Sequence, residues 1–150
     1  SSKRIDEIYF IRGHLLSLVG RSVVENATDD DLAEFRQRVE AMVDLAESGD
    51  VDGYFWAHVA LQERMAEVGG NETLKGILDS LALRTMVLRH TSLAQPGRLR
   101  ASVAAQLRIL EAIEQRDGEL AALLLSRATV AAHGAVKESE LAKRAGKAAS

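Results

Sequence analysis

The stretch Gln95-Pro-Gly-Arg-Leu-Arg-Ala-Ser-Val-Ala-Ala-Gln-Leu-Arg-Ile-Leu-Glu-Ala-Ile-Glu-Gln-Arg-Asp117 decides how the rest of the chain reads. It contains the only proline of the 150 residues. Pro96-Gly97 marks a loop. Beyond it, apolar residues recur at helical spacing from about Leu99 to Gln115, and the amphipathic helix stops near Asp117, where another begins. A well-punctuated helix–turn–helix unit of this kind predicts an all-helical fold if the neighbouring segments obey the same rules.

They do. Upstream, Ile8, Ile11, Leu15, Leu18 and Val19 set an apolar stripe on a helix from about Ile5 to Glu25. Asn26-Ala-Thr breaks it. Thr28 is suited to cap the next helix, with Asp29 to Asp31 placed where negative charge favours a helix start. Leu32, Phe35, Val39, Met42 and Leu45 form the face of that second helix. Ser48-Gly49-Asp50 is a turn whose aspartate caps a third helix, Val51 to about Val68, ended by Gly69-Gly70. Asn71 caps a fourth, carrying Leu74, Ile77, Leu78, Leu81 and Met86, and Thr91 to Gly97 returns to the loop. The sixth helix runs from Asp117 past His133 to about Ala142, and residues 143–150, lacking an apolar stripe, are expected to fray. Short connections between long helices predict an antiparallel bundle of six or seven helices around one core, a single domain over residues 1–150.

Composition bounds the function. Hydrophobic residues make up 47% of the chain but aromatics only 4%, which favours helix over strand. There is no cysteine, so disulfides and thiolate metal sites are excluded. No apolar run is long enough to span a bilayer and no signal peptide is visible, so a cytoplasmic protein with no membrane partner is expected. The chain begins Ser-Ser-Lys, as a piece of a longer protein would. The net charge of −3 and the lack of a helix-turn-helix DNA-reading pattern argue against DNA binding by these residues. Arg98, Arg100 and Arg108 read as a solvated helix face, since Glu111 and Glu114 follow. Catalysis finds no support: Gly-x-Ser-x-Gly, phosphate-binding glycine loops, His-Glu-x-x-His and paired Glu-x-x-His are all missing.

The Gln95–Asp117 stretch resembles the FCD-type effector-binding domain of GntR-family transcription regulators. Such domains carry a Pro-Gly-Arg-Leu-Arg-like loop and a helix of the form Ser-x-x-x-His-x-x-Ile-Leu-x-Ala-Ile-x-x-x-Asp, matched here by Ser102, Ile109, Leu110, Ala112, Ile113 and Asp117. Arg12 and Leu15, Ala27 to Leu32, Ser48-Gly49-Asp50 and Gly70-Asn71-x-x-Leu74 follow the family's order and spacing. The resemblance implies a cavity-bearing bundle that dimerises, binds a small metabolite and controls a winged-helix DNA-binding domain outside this sequence.

It also implies a place for a metal. Metal-binding members hold a divalent cation with one Asp and three His. The positions that correspond here are His58, Gln62, Gln106 and Ala128. One imidazole of four ligands remains, glutamine is a weak ligand and alanine is none, so no metal or other cofactor is expected. His133 lies five residues beyond Ala128, about 500° around the helix, and cannot replace it; His14 and His90 also fall elsewhere. His58, Gln62 and Gln106 remain a polar set able to hold a ligand directly or to bond one another in a packed core. Arg12, a family position, and Arg84, which interrupts the apolar side of the fourth helix, are the cationic candidates, with surface ion pairing as the plainer role for each. Tyr54 and Trp56 read as core or dimer contacts. The expected ligand is thus a small polar or anionic metabolite bound by Arg12, His58, Gln62, Arg84 and Gln106, with His58 gaining charge as pH falls toward about 6. Two alternatives stand: a ligand-free module that only dimerises, and a helical-bundle enzyme.

Overall fold

A computed structural model describes residues 2–150 and consists of six helices: α1 (Ser2–Asn26), α2 (Asp29–Glu47), α3 (Val51–Gly69), α4 (Glu72–Leu93), α5 (Arg98–Glu114) and α6 (Gly118–Ala149). The capping residues do what their chemistry allows. Thr28 and Asp31 form a reciprocal capping box at α2, while Asp50, Asn71 and Asp117 each accept an amide three residues on. Gly70 ends α3 in the left-handed region, φ 81°, where a side chain would strain the backbone.

The core is contiguous. Val19 and Val23 of α1, Phe35 and Met42 of α2, Tyr54 and Leu61 of α3, Ile109 and Ile113 of α5, and Ala121 and Leu125 of α6 bury one another. Across α2 and α3, Arg64 bridges to both Asp31 and Glu34. The tightest crossing joins α1 to α6. A methyl group at Gly20 would lie 3.0 Å from the Ala122 amide nitrogen and from Leu125, so the missing side chain sets how close these helices come.

Two helix faces differ from the sequence expectation. On α1, Ile11 and Leu18 are each 48% exposed, and the buried face is Ile8, Tyr9, Arg12, Gly13, Leu16, Val19, Gly20 and Val23, so Ile8 and Val19 lie inside as expected. The helix has apolar residues on two sides, and close approach to α6 selects the side with the glycines. On α4, Ile77 is largely outside, and the inner face runs from Leu74 and Leu78 into Thr85, Arg89 and Ser92. The last helix is also longer than its apolar pattern. It continues to Ala149 rather than Ala142, and every side chain from Leu141 onward is exposed.

Candidate functional site

Turning the polar end of the α4 face inward, with the arginine of α1, opens the bundle. A cavity of about 470 Å³ lies between α1, α3, α4, α5 and α6, within the range of small-molecule sites. Its inner end holds Arg12, His58, Gln62, Arg89 and Gln106. Five arginines line it (Arg12, Arg89, Arg98, Arg108 and Arg127), and no aspartate or glutamate does.

The inner end is organised around one oxygen. Gln62 Oε1 accepts from Arg12 at 2.7 Å and more weakly from Arg89 at 3.4 Å. Arg89 also reaches His58 Nδ1 at 3.5 Å. A guanidinium only donates, so Nδ1 accepts and the imidazole proton sits on Nε2. Nε2 lies 3.3 Å from the amide end of Gln106, which then presents its oxygen. Behind His58, Tyr54 is stacked at 6.2 Å and its hydroxyl donates to Ser102 at 2.6 Å, joining α3 to α5. Arg89 also lies over the Phe55 ring, 5.8 Å from its centroid.

Neutral acceptors do not balance two buried cations. Arg12 is 4% exposed and Arg89 6%. Burial, then repulsion from Arg89, pushes Arg12 down to about 9 from its usual 12.5, and burial lowers Arg89 as well. The buried side-chain polar atoms without a protein partner, among the described residues, are Arg12 Nε, Arg98 Nε and the Tyr9 hydroxyl. Two belong to cavity residues, and the third feels the charges of Arg12 and Arg89. His58 corrects an expectation. Burial first, then the charges of Arg89 and Arg12, holds it well below 6.5. One edge opens to the cavity, but protein surrounds the ring, and it stays neutral at mildly acid pH in the unliganded state.

The remaining sequence candidates are placed as follows. Gln62 and Gln106 face the cavity with His58, as their family positions imply, and Ala128 lines the same wall. Arg84 is exposed on the outer side of α4 and lines neither this cavity nor its neighbour. Arg89, unnoticed in the sequence, takes the inward place. The signal was present, since extending the register of Leu74 and Leu78 by seven and eleven residues from Leu78 lands on Thr85 and Arg89. Arg98 and Arg108 line the cavity rather than forming a purely solvated face. Tyr54 is core and Trp56 is 52% exposed. His133 stacks on Tyr9 and pairs with Asp6, His90 pairs with Asp52, and His14 is exposed beside Phe10.

A divalent cation fits this arrangement poorly. The family positions offer one imidazole, two amides and a methyl group, beside two guanidiniums that repel a cation. Among the described residues no group of three or more His, Asp or Glu side chains is placed to hold a metal. The same set presents fixed donors and positive charge to an anion.

On the other side of the Arg12–Gln62–Arg89 wall lies a smaller cavity of about 260 Å³. It is lined by apolar residues such as Leu16, Val59, Leu78 and Met86, with Glu63 and Asp79 on its lining. No helix of the described residues is long and apolar enough to cross a membrane.

A family model described as the FCD domain matches residues 7–130. No curated protein matches the chain. Among solved structures, E. coli McbR/YncC superposes with a TM-score of 0.85 at 22% identity, covering 92% of this chain and 70% of that one. Streptococcus agalactiae GntR superposes with a TM-score of 0.74 at 17% identity, covering 89% of this chain and 60% of that one. At these identities the likeness establishes the fold.

Proposed function

The chain belongs to the FCD domain family, the regulatory and generally effector-binding domain of GntR-type regulators, and on that premise we propose that it senses a small anionic metabolite held directly by side chains, without a metal. The observation that carries this reading is the pair of buried guanidiniums, Arg12 and Arg89, which share one neutral oxygen and face a cavity with no carboxylate on its walls. An unbalanced buried charge is strongly disfavoured, and an anion bound between the two would balance it. Gln62, Gln106 and neutral His58 supply hydrogen bonds around it. The open cavity argues against a purely structural dimerisation module, whose interior would be filled.

Regulation follows from where the ligands come from. Arg12 is on α1, His58 and Gln62 on α3, Arg89 on α4 and Gln106 on α5, so an anion draws four helices toward one point. Helix arrangements that bring these groups together are favoured over those that do not, and only this difference in affinity can shift the balance. In the whole regulator the shift is passed to an attached DNA-binding domain. We further read the working unit as a homodimer in the cytoplasm: Leu83 and Val87 on α4 and Phe10 on α1 are apolar and at least 69% exposed, and burial against a second copy would remove them from water. No catalytic role is assigned.

The test is calorimetric titration with anions found by thermal-shift screening. Wild type binds; Arg12→Ala and Arg89→Ala each lose about 2 kcal/mol or more, the usual loss for one partner of a buried charge pair. Retained affinity in both variants would remove the inner cavity as the effector site.

A further inference from the structure

Resting on the reading of Arg12 and Arg89 as an inner anion seat, we propose that the same cavity has a second anionic seat at its rim, formed by Arg98 and Arg108 of α5 and Arg127 of α6, so that its ligand class is a small dianion with two separated anionic groups. All three rim residues line the cavity that Arg12 and Arg89 close at depth. Arg108 and Arg127 are exposed, whereas Arg12 and Arg89 are buried, so the two sets lie at different depths of one opening. Arg98 is half-buried, and its Nε is enclosed without a protein partner.

Charge balance separates these arginines from those held in ion pairs. Arg36, Arg38, Arg64 and Arg116 are each paired with a carboxylate. No ion pair involves Arg98, Arg108 or Arg127 among the described residues. The nearest glutamates along α5 do not line the cavity, and Glu114 is occupied by Arg36. A monoanion seated on Arg12 and Arg89 leaves the rim cations unmatched, while a second anionic group on the same molecule meets them. The wall between the seats suits an uncharged middle. Ala101, Ala105, Ala128, Ala131 and Ala132 have only methyl side chains, which leave room and ask for no hydrogen bonds. A short dicarboxylate and a phosphorylated sugar acid share this chemistry, two anionic ends on a compact linker.

The experiment is calorimetric titration of the full chain, at low ionic strength, with glutarate and adipate, their chain-matched monoanions pentanoate and hexanoate, and 6-phosphogluconate. The variants are Arg12→Ala and the double variant Arg108→Ala/Arg127→Ala, whose exposed positions spare the fold. Glutarate and adipate are expected to bind about tenfold more tightly than pentanoate and hexanoate, the size of two partly exposed charge pairs. The double variant should remove most of that preference, weakening the dicarboxylates much more than the monoanions; Arg12→Ala should weaken both classes. Binding of the dicarboxylates alone, or of 6-phosphogluconate alone, supports the rim seat and identifies its partner as carboxylate or phosphate. Equal affinity for monocarboxylates and dicarboxylates, an undiminished preference in the double variant, or failure of glutarate, adipate and 6-phosphogluconate alike to bind overturns it. If binding still depends on Arg12 while the preference is absent, only the rim seat falls; if the preference persists and Arg12 is irrelevant, the inner seat falls instead.

Discussion

Replacing Arg12 with methionine should make the unliganded protein more stable. The guanidinium is 4% exposed, makes one good hydrogen bond, to Gln62 at 2.7 Å, and sits near a second buried guanidinium. Its fall from 12.5 to about 9 corresponds to roughly 5 kcal/mol of disfavoured charge at 1.36 kcal/mol per tenfold change in proton affinity. The sign follows from linkage: at pH 7 the group is charged in both folded and unfolded chains, so the penalty is fully present and is relieved only above about pH 9. Methionine keeps much of the stem's packing but forfeits the Gln62 bond, so a net gain of about 2 kcal/mol is expected, as when buried ionic groups are replaced by apolar ones. For a chain of this size that raises the unfolding midpoint by roughly 4–8 °C. The assay is thermal and urea unfolding at pH 7 in buffer free of phosphate, sulfate and carboxylates. Adding an anion at about a hundred times its Kd should then stabilise the wild type by about 2.7 kcal/mol and the variant hardly at all. A variant that is less stable than wild type without anion, or equally stabilised by it, would show that Arg12 is a satisfied structural strut and refute the reasoning.

His58 is held neutral in the fold, below its ordinary 6.5, so the unfolded chain takes up the extra proton as pH falls below that value; stability should drop by up to about 1.4 kcal/mol per pH unit there, and denaturant titrations of wild type and His58→Gln between pH 7 and 5 should differ by that slope. Gly20→Ala should cost about 1–3 kcal/mol by overpacking the α1–α6 crossing, read as a lower urea midpoint; no change would mean that the helices can part there freely. Arg84→Ala should leave anion affinity within twofold or so of wild type, given its exposed place outside the cavity, whereas a loss matching that of Arg89→Ala would show the α4 register to be misplaced.

Helix boundaries, caps and family were legible in the sequence because they depend on neighbours within a few residues. Thr28, Asp50 and Asn71 cap where local hydrogen-bonding chemistry puts them, and the Pro96-Gly97 loop with its following helix carries the family's spacing. That spacing also placed His58, Gln62 and Gln106 toward one cavity. What the residues do there was decided only when the helices packed. α1 offers apolar residues on two sides, and periodicity along one helix does not choose between them. The close crossing permitted by Gly20 turned Ile11 out and Arg12 in. On α4 the same packing buried Arg89 and left Arg84 outside. The charge of His58 depended on this choice as well, because a proton's affinity is set by what surrounds the ring in space: burial among the packed helices, and then two guanidiniums from helices other than its own, keep it neutral, and neither arginine is near it in the chain.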